Sequence, residues 1–410
     1  MKIAIFNEKY YPNVSGGAEK SVKVLADALR DRGIAPEVVT LSPEAKTRVD
    51  SVDGVRVHYL ALQNFFWPFD GKRRSRWRMW AYHARDAMNV TIVANAMRVL
   101  DDIRPDLVHT NNLSGLSILL WQAVKARSLP LVHTLRDYFL MCPFSARFRA
   151  GRNCEKPCPE CAPFAVLGRR SSRRVEAVVG NSHDILDSHL AAGYFKATPL
   201  RSVIYNASTV RADTGKPAPS PSGRHEVTFA YLGRITLEKG IEQLLNATRV
   251  LPDSGWRLLI AGDGDESYVS DLRRRFGSPS IIWLGWINAA DVYRQTDWVL
   301  VPSLWREPLP RVILEAHSLG IPVIASNKGG NSEVVSHRRT GLVFDPGTPG
   351  ALPKLLTEIL SGMHSSEKFR SACLAASGVY KPERLAGDYI AVYERLVRSR
   401  RGSMAPGRTG

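Results

Sequence analysis

Four charged side chains in the second half of the chain have the types and spacing to handle a phosphorylated, hydroxyl-rich ligand. The segment Tyr231-Leu232-Gly233-Arg234-Ile235-Thr236-Leu237-Glu238-Lys239-Gly240 joins an apolar strand to a helix, so two cations and two glycines collect at a helix N-terminus. Glycine lets the backbone approach a ligand, the helix end offers free N–H groups and positive potential, and Arg234 and Lys239 add full charges. In outline this is a diphosphate site, although a basic loop that only caps its helix has the same letters. The next strand ends in Ala261-Gly262-Asp263-Gly264-Asp265. That is a plain turn signal by itself, but it falls beyond the carboxyl end of a strand, where open α/β sheets bind ligands. A third strand-loop-helix unit runs from Val301 through Pro302, Ser303, Glu307, Leu309 and Pro310 to Glu315. Glu307 sits in the loop and Glu315 about one turn into the helix, so both can point toward one crevice. Ionised carboxylates accept hydrogen bonds, which suits sugar and ribose hydroxyls; an early helix glutamate that merely favours the dipole is the plain alternative.

Such loops need strands and helices to hold them, and the sequence alternates the two. In the first half, apolar runs at 3–6, 37–40, 107–109, 131–135 and 177–179 alternate with helical stretches near 18–32 and 80–103. In the second, runs at 228–232, 257–261, 281–284, 298–301, 322–325 and 341–344 alternate with helices near 240–249, 268–276 and 311–319. This rhythm predicts parallel β-α-β units, and strands apolar on both faces are those covered by helices on both sides. A chain of 410 residues exceeds what one core usually supports, and 207–224 has the Pro, Ser, Gly and Thr content of a linker. The expected organisation is an α/β chain of two doubly wound Rossmann-like domains, 1–206 and 225–382. A last helix over 383–398 is expected to pack back on the first domain, with a flexible tail at 399–410.

Lys and Arg outnumber Asp and Glu by 56 to 39, a formal charge of +17. Such a field favours anionic partners: nucleic acid, an anionic membrane surface or phosphorylated small molecules. No helix-turn-helix or zinc-finger pattern speaks for nucleic acid. No stretch approaches the roughly 18 apolar residues of a membrane span, and the apolar run after Met1 is too short for a signal-peptide core. A cytoplasmic protein, peripheral at most on the inner face of the membrane, is the expectation. The cysteine count of five does not suggest a disulfide framework.

In order and spacing, Gly233-Arg234 with Lys239-Gly240, then Gly262-Asp263-Gly264, then Pro302-Ser303 with Glu307 and Glu315 resembles the retaining, nucleotide-sugar-dependent glycosyltransferases of the GT-B fold (group 1, family 4-like). The match runs through most of the second domain. The resemblance implies that Arg234 and Lys239 hold the diphosphate of a UDP-, GDP- or ADP-sugar, Glu315 the ribose hydroxyls and Glu307 the transferred sugar. Gly16, Gly17, Gly233, Gly262, Gly264, Ser303 and Leu309 would complete the donor pocket. It further implies two domains facing a cleft, and transfer to a glycan or lipid-linked acceptor in cell-surface polysaccharide or glycolipid assembly. Attack on the same face of the sugar is implied, with no metal or other cofactor required for catalysis, because positioned cations can stabilise the departing diphosphate. No carboxylate nucleophile for a double displacement presents itself. One departure is Pro310, where the family usually carries Gly; it removes a backbone N–H. A nucleotide-sugar-binding protein or a non-hydrolysing epimerase of the same fold is the alternative.

In the first half, Gly16 and Gly17 precede a helix, as in the family's glycine loop, and could bring N–H groups to the donor. The run Pro130-Leu131-Val132-His133-Thr134-Leu135-Arg136-Asp137-Tyr138 ends a strand where related enzymes place a histidine, but Arg136 holds that position here. Arg136, Asp137 and His133 are the candidate catalytic residues of this half, with a buried core histidine the other reading of His133. Cys142, Cys154, Cys158 and Cys161 have spacings open to a structural zinc site or to reduced thiols. Between residues 64 and 80, aromatic rings alternate with Lys72, Arg73, Arg74, Arg76 and Arg78. That pattern suits an anionic membrane surface, a stacked base, or a loop over the acceptor site.

Overall fold

The computed structural model describes residues 1–14, 16–44, 46–72, 74–210 and 226–404, without the side chains of 401–404. Arg73, residues 211–224 of the expected linker and 405–410 of the expected tail lie outside the described residues. Two compact units emerge: one comprises Met1–Arg147, Cys154–Tyr205 and Pro382–Gly410, the other Phe148–Asn153 and Asn206–Lys381. The second unit therefore takes in a short piece of the sequence's first half.

Unit 1 contains a sheet of β1 (Lys2–Phe6), β2 (Ala35–Ser42), β3 (Arg48–Val52), β4 (Val55–Ala61), β5 (Leu107–Thr110), β6 (Leu131–Leu135), β9 (Ala177–Gly180) and β10 (Leu200–Val203). The hairpin β7 (Phe148–Arg149) and β8 (Arg152–Asn153) stands apart from it. The order of the eight-stranded sheet of unit 1 is β10-β9-β6-β5-β1-β2-β4-β3. Only the edge pair β3–β4 is antiparallel, closed by Asp53 and Gly54 at positive φ. The helices are α1 (Gly17–Asp31), α2 (Arg76–Ala87), α3 (Val90–Ile103), α4 (Leu120–Ala126), α5 (Ala162–Ser171) and α6 (His183–Ala191). The single helix expected over 80–103 is two. Asn89 ends the first stretch and caps α3, its side chain accepting from the Ile92 amide at 3.2 Å, because asparagine competes well for a helix's unpaired N–H groups.

Unit 2 has a six-stranded, all-parallel sheet, β11 (Val227–Leu232), β12 (Trp256–Ala261), β13 (Ile281–Gly285), β14 (Trp298–Val301), β15 (Val323–Ser326) and β16 (Gly341–Phe344), in the order β13-β12-β11-β14-β15-β16. Its helices are α7 (Ile241–Thr248), α8 (Glu266–Arg275), α9 (Ala289–Tyr293), α10 (Arg311–Ser318), α11 (Asn331–Val334), α12 (Ala351–Leu360) and α13 (Glu367–Ser377). Alternation along the central strands builds a core on each face: Phe229, Tyr231, Leu258 and Ile260 join one cluster, Ala230, Leu259 and Ala261 the other. Both faces are apolar because helices cover both.

The last helix, α14 (Pro382–Met404), belongs to unit 1 and packs against α1. It extends beyond the stretch expected at 383–398 and takes in residues 399–404. Buried hydroxyls fasten it: Tyr393 bonds His109 Nδ1 at 2.8 Å, Tyr389 bonds Thr134 Oγ1 at 2.9 Å, and His109 Nε2 meets Thr134 Oγ1 at 2.7 Å. Each unit has one strand flanked by neighbours that leave it in opposite chain directions, β1 between β2 and β5, and β11 between β12 and β14. These are topological switch points, where the loops beyond the strand ends diverge and leave a crevice.

Candidate active site

The unit 2 switch point is built from two loops that hold each other. Beyond β11 the chain runs through Gly233 and Arg234 into a single 3-10 turn, Leu237–Lys239, and Gly240 at φ 73° opens α7. Beyond β14, Pro302 to Pro310 leads into α10. The amides of Leu304 and Trp305 both donate to the Glu238 carbonyl, at 2.9 and 3.2 Å. Gly240 is required here twice over, by its positive φ and because a Cβ would stand 2.0 Å from the Pro302 carbonyl oxygen.

Between these loops two of the expected site residues meet as a cation–carboxylate pair. Lys239 Nζ forms an ion pair with Glu307 Oε1, and Ser303 Oγ donates to the same oxygen at 2.7 Å. The Glu307 amide and carbonyl stretch is fixed from behind, its carbonyl accepting from Gly330 N at 2.8 Å. Glu307 is buried, 3% exposed. Burial raises its carboxyl pKa, but the Lys239 charge and hydrogen bonds from Lys239, Ser303 and Trp305 outweigh it and hold the group below its ordinary value. Glu307 is thus an anion held ready, and Lys239 a cation that a phosphate oxygen could draw away. The Lys239 ammonium also lies 5.5 Å from the centre of the buried Trp305 ring. Arg234 is exposed, its carbonyl gripped by Tyr231 OH.

Glu315 occupies a neighbouring arrangement. Tyr293 OH donates to Oε2 at 2.9 Å, and Arg311 pairs with Oε1 at 3.3 Å. Its carboxylate is oriented by α9 and by its own helix, and contacts Tyr293 and Arg311 instead of Glu307. Pro310 caps α10 at φ −72° and contributes no N–H there. Leu309 is buried in the loop.

The glycines of the Gly-Asp-Gly turn lie against the chain's own backbone. A Cβ on Gly262, at φ 146°, would stand 1.8 Å from the Gly233 carbonyl oxygen, and one on Gly264 would stand 2.3 Å from that of Ile235. Gly233 N donates to Ala261 O at 3.0 Å and Ile235 N to Asp263 O at 2.7 Å. Gly262 and Gly264 therefore let the turn lie against the Arg234 loop and fix its path; the space a side chain would fill holds protein backbone.

In unit 1 the three candidate residues separate. His133 points into the core, 4% exposed, with Nδ1 3.0 Å from Thr110 Oγ1 and its ring 4.9 Å from Trp121. Burial lowers its pKa to about 3, so it is a neutral core group, which corrects its place among the catalytic candidates. Arg136 and Asp137 stand at the end of β6. Arg136 Nε donates to Asn111 Oδ1 at 2.8 Å, and Asp137 accepts from Asn112 Nδ2 at 2.8 Å and Phe139 N at 2.9 Å. Burial raises Asp137 to about 6 against the opposing hydrogen bonds of Phe139 and Ser145. Gly16 caps α1 with extended backbone, and a Cβ there would meet Glu19 at 3.3 Å. Glu8 and Asn112, not among the candidates from sequence, stand one residue beyond polar Asn7 and Asn111 at the ends of β1 and β5. Polar residues directly after apolar strands were the available signal.

The cysteines form a row. Cys158 and Cys161 sulfurs lie 3.2 Å apart and those of Cys161 and Cys142 3.7 Å apart, all as free thiols. Among the described residues no group of three or more His, Cys, Asp or Glu has a metal-holding arrangement. In the aromatic-basic stretch Phe66 packs on Tyr82 and Arg74 pairs with Asp70, while Phe65, Trp77 and Trp80 remain 61%, 70% and 44% exposed. Among the described residues no helix is long and apolar enough to cross a membrane.

Two α/β units, each with a topological switch point and one with a cation–carboxylate pair beside it, define a two-domain Rossmann-like architecture. The chain matches the family described as "Glycosyl transferases group 1" over residues 216–373 and "Glycosyl transferase 4-like domain" over residues 16–206. It is 30% identical over 336 residues to an uncharacterized 42.6 kDa protein in the cps region of Klebsiella pneumoniae, covering 82% of this chain and 87% of that one. It is 26% identical over 408 residues to a GDP-mannose-dependent alpha-mannosyltransferase of Mycobacterium tuberculosis, covering 96% and 98%. Among solved structures, sucrose-phosphate synthase from Thermosynechococcus elongatus superposes with a TM-score of 0.75 at 19% identity, over 97% and 99% of the two chains. Anabaena HepE in complex with UDP and glucose gives 0.71 at 21% identity, over 96% and 99%. The fold is GT-B, and the chain belongs to the group 1, family 4-like glycosyltransferases.

Proposed function

We propose that this glycosyltransferase moves a sugar, with retention of anomeric configuration, from a UDP-, GDP- or ADP-sugar to a glycan or lipid-linked acceptor. Cell-surface polysaccharide or glycolipid assembly is its setting. The observation that carries the donor half is the buried Glu307, ionised by Lys239 and Ser303 at the unit 2 switch point. In this reading a donor diphosphate takes up Lys239 and Arg234, while Glu307 accepts hydroxyls of the sugar and Glu315 those of the ribose. As the bond from the anomeric carbon to the phosphate oxygen breaks, negative charge grows on the diphosphate and the two cations stabilise it, without a divalent metal. The acceptor hydroxyl attacks the same face, and its proton passes to the departing phosphate oxygen.

The relatives support a nucleotide-sugar donor without choosing the base: HepE was solved with UDP and with UDP-glucose, a starch synthase with ADP, and the mannosyltransferase is named for GDP-mannose. The cps-region relative supports a polysaccharide setting. Release of nucleoside diphosphate from a panel of UDP-, GDP- and ADP-sugars tests the activity, and proton NMR of the product tests retention. One base class turned over in excess EDTA, with the donor's anomeric configuration kept, is the expected result. An inverted product, or turnover abolished by EDTA and restored by a divalent ion, would overturn those parts of the reading.

The same proposal puts unit 1 against an anionic membrane through Phe65, Trp77, Trp80 and Arg78, since rings enter the interface and cations meet headgroup phosphates. Arg74 and Arg76 are paired with Asp70 and Glu160, so Trp77, Arg78 and Trp80 are the residues to change. Flotation with phosphatidylglycerol vesicles should fall when all three become Ser; flotation indifferent to lipid charge and to the change counts against it. A structural zinc at Cys142, Cys154, Cys158 and Cys161 is a separate proposal, in which the 3.2 Å sulfur pair would have to widen to the roughly 3.8 Å of tetrahedral thiolates. One equivalent of zinc in the purified chain supports it, and substoichiometric zinc rejects it.

A further inference from the structure

Within unit 2, the loop that carries Glu307 is gripped by a residue from the first half of the sequence. Asn153 ends the hairpin β7–β8, the piece Phe148–Asn153 that belongs to this unit. Its side-chain amide bridges the loop backbone on either side of Trp305: Nδ2 donates to the Leu304 carbonyl at 2.8 Å, and the Arg306 amide donates to Oδ1 at 2.9 Å. A carboxamide carries a donor and an acceptor in one plane, so it can pair with a backbone segment as a neighbouring strand would. The hairpin that presents it is short and defined. Ala150 and Gly151 at its tip both have positive φ, 48° and 76°, the two-residue turn that matches the twist of an antiparallel ribbon. A ribbon of two strands has little stability of its own. At its base Cys154 N donates to the Arg147 carbonyl at 2.6 Å, and the Arg147 guanidinium donates to the carbonyls of Cys154 and Glu155 at 2.7 and 2.9 Å.

The Leu304 carbonyl and the Arg306 amide belong to the two peptide groups that flank Trp305, so Asn153 fixes the backbone of that residue from both sides. Two consequences follow. The Trp305 ring, buried and 5.5 Å from the Lys239 ammonium, takes its direction from this backbone. The loop is pinned before this point at Ser303, whose carbonyl accepts from Ser326 Oγ at 2.6 Å, and after it at Glu307, whose carbonyl accepts from Gly330 N at 2.8 Å. Asn153 secures the stretch between those pins, and with it the approach of the Glu307 carboxylate to Ser303 Oγ and Lys239. Asn153 is itself half-buried and Arg306 is exposed, so water can replace the amide and the fold does not depend on it. Its geometry has more bearing on where Glu307 stands than on whether the unit folds.

We infer that Asn153 is a positioning residue of the transfer reaction: through the two peptide groups of Trp305 it holds Glu307, and the ring beside Lys239, in place for the donor. The inference rests on the donor-site reading of Lys239 and Glu307 and extends it to a residue that acts only through the loop. Asn153 takes no part in bond making or proton transfer.

The test uses the full chain and its preferred nucleotide sugar. Asn153→Leu keeps the side-chain volume and removes both hydrogen bonds; it should lower kcat for nucleoside diphosphate release about tenfold, against the roughly 100-fold that a 1 Å misplacement can cost. Nucleoside diphosphate affinity by calorimetry should stay within about twofold, because Lys239 and Arg234 are carried by the other loop. Amide exchange in the segment 304–307 should accelerate at least about tenfold. In a Glu307→Gln background the same change should cost no more than about twofold, since a residue that acts through Glu307 has nothing left to position. Arg152→Ala, an exposed change on the same hairpin, should leave kcat at the native value. If thermal unfolding shows that Asn153→Leu does not fold, Asn153→Ser replaces it with the same expectations. An unchanged kcat, a loss of equal size in the native and Glu307→Gln backgrounds, an equal loss in Arg152→Ala, or nucleotide affinity that falls with kcat would overturn the inference. A native chain that binds no nucleoside diphosphate, or a Glu307→Gln chain that turns over at the native rate, would instead sink the donor reading of unit 2.

Discussion

Lys239→Ala separates what the ion pair does for the fold from what it does for the reaction. The change takes the ammonium away from a carboxylate that is 3% exposed. Breaking one side of a buried pair costs about 3–5 kcal/mol. Two features reduce that here: the Lys239 side chain is 20% exposed, so water can enter its place, and Ser303 still donates to Glu307 at 2.7 Å. About 2–3 kcal/mol of destabilisation remains. The pH dependence follows from the direction of the shift. Glu307 lies below its ordinary 4.5 in the native chain, so it adds stability above that value and loses it as pH falls through the lower folded one. In Lys239→Ala only burial and the remaining hydrogen bonds act, and the folded pKa rises. The deficit should therefore be largest near neutral pH and shrink toward pH 4. Urea denaturation across that range measures it. Adding Glu307→Gln should restore most of the lost stability, because no buried charge is left uncompensated, yet leave nucleoside diphosphate release depressed by at least roughly 100-fold. A Lys239→Ala chain as stable as the native one at pH 7, or a double variant less stable than either single, would refute the reasoning.

Three further outcomes follow from the geometry. Gly262→Ala should destabilise by about 2–4 kcal/mol, combining a positive-φ strain with a backbone overlap, whereas Gly362→Ala, also at positive φ (81°) but with open space around it, should cost less; equal losses by thermal unfolding would contradict the packing account. His133→Leu should leave turnover within about threefold of the native value and the pH profile unchanged between 5 and 9, since burial keeps that ring neutral there; a lost pH limb would return His133 to the reaction. Tyr393→Phe leaves a buried ring nitrogen of His109 without its 2.8 Å partner, so about 1–2 kcal/mol should be lost, with amide exchange in α14 accelerated more than in α7; unchanged exchange would show that the hydroxyl does not fasten the helix.

The β-α rhythm of both halves was legible because parallel strands covered on both faces must be short and apolar throughout, as Ile3-Ala4-Ile5-Phe6 and Val323-Ile324-Ala325 are. The edge hairpin β3–β4 was not read, since Arg48-Val49-Asp50-Ser51-Val52 is polar and solvent-facing, although Asp53-Gly54 carried the hairpin turn signal. The break at Asn89 was hidden inside one amphipathic period. Lys239 and Glu307 were legible as candidates because both follow strands, one after β11 and one after β14, but their ion pair was not. That those strands are neighbours is a matter of sheet order, which spacing along the chain does not encode. For the same reason Glu8, Asn112 and Asp137, from three separate strand ends, could not be assembled from sequence. His133 illustrates the converse: its place in a strand end looked functional, but the pleat turns it inward onto Trp121 and Phe195. The close packing of Gly262 and Gly264 on the Arg234 loop was not legible, because a motif does not say what fills the space beside it.

The central claim is that Glu307 serves the transferred sugar while the cations serve the diphosphate, and Glu307→Gln measures it most directly. On the preferred donor, nucleoside diphosphate affinity by calorimetry should stay within about threefold of the native chain, while its release from the nucleotide sugar falls by at least roughly 100-fold. Release that persists at the native rate, or nucleotide affinity that collapses together with turnover, would contradict that division of labour.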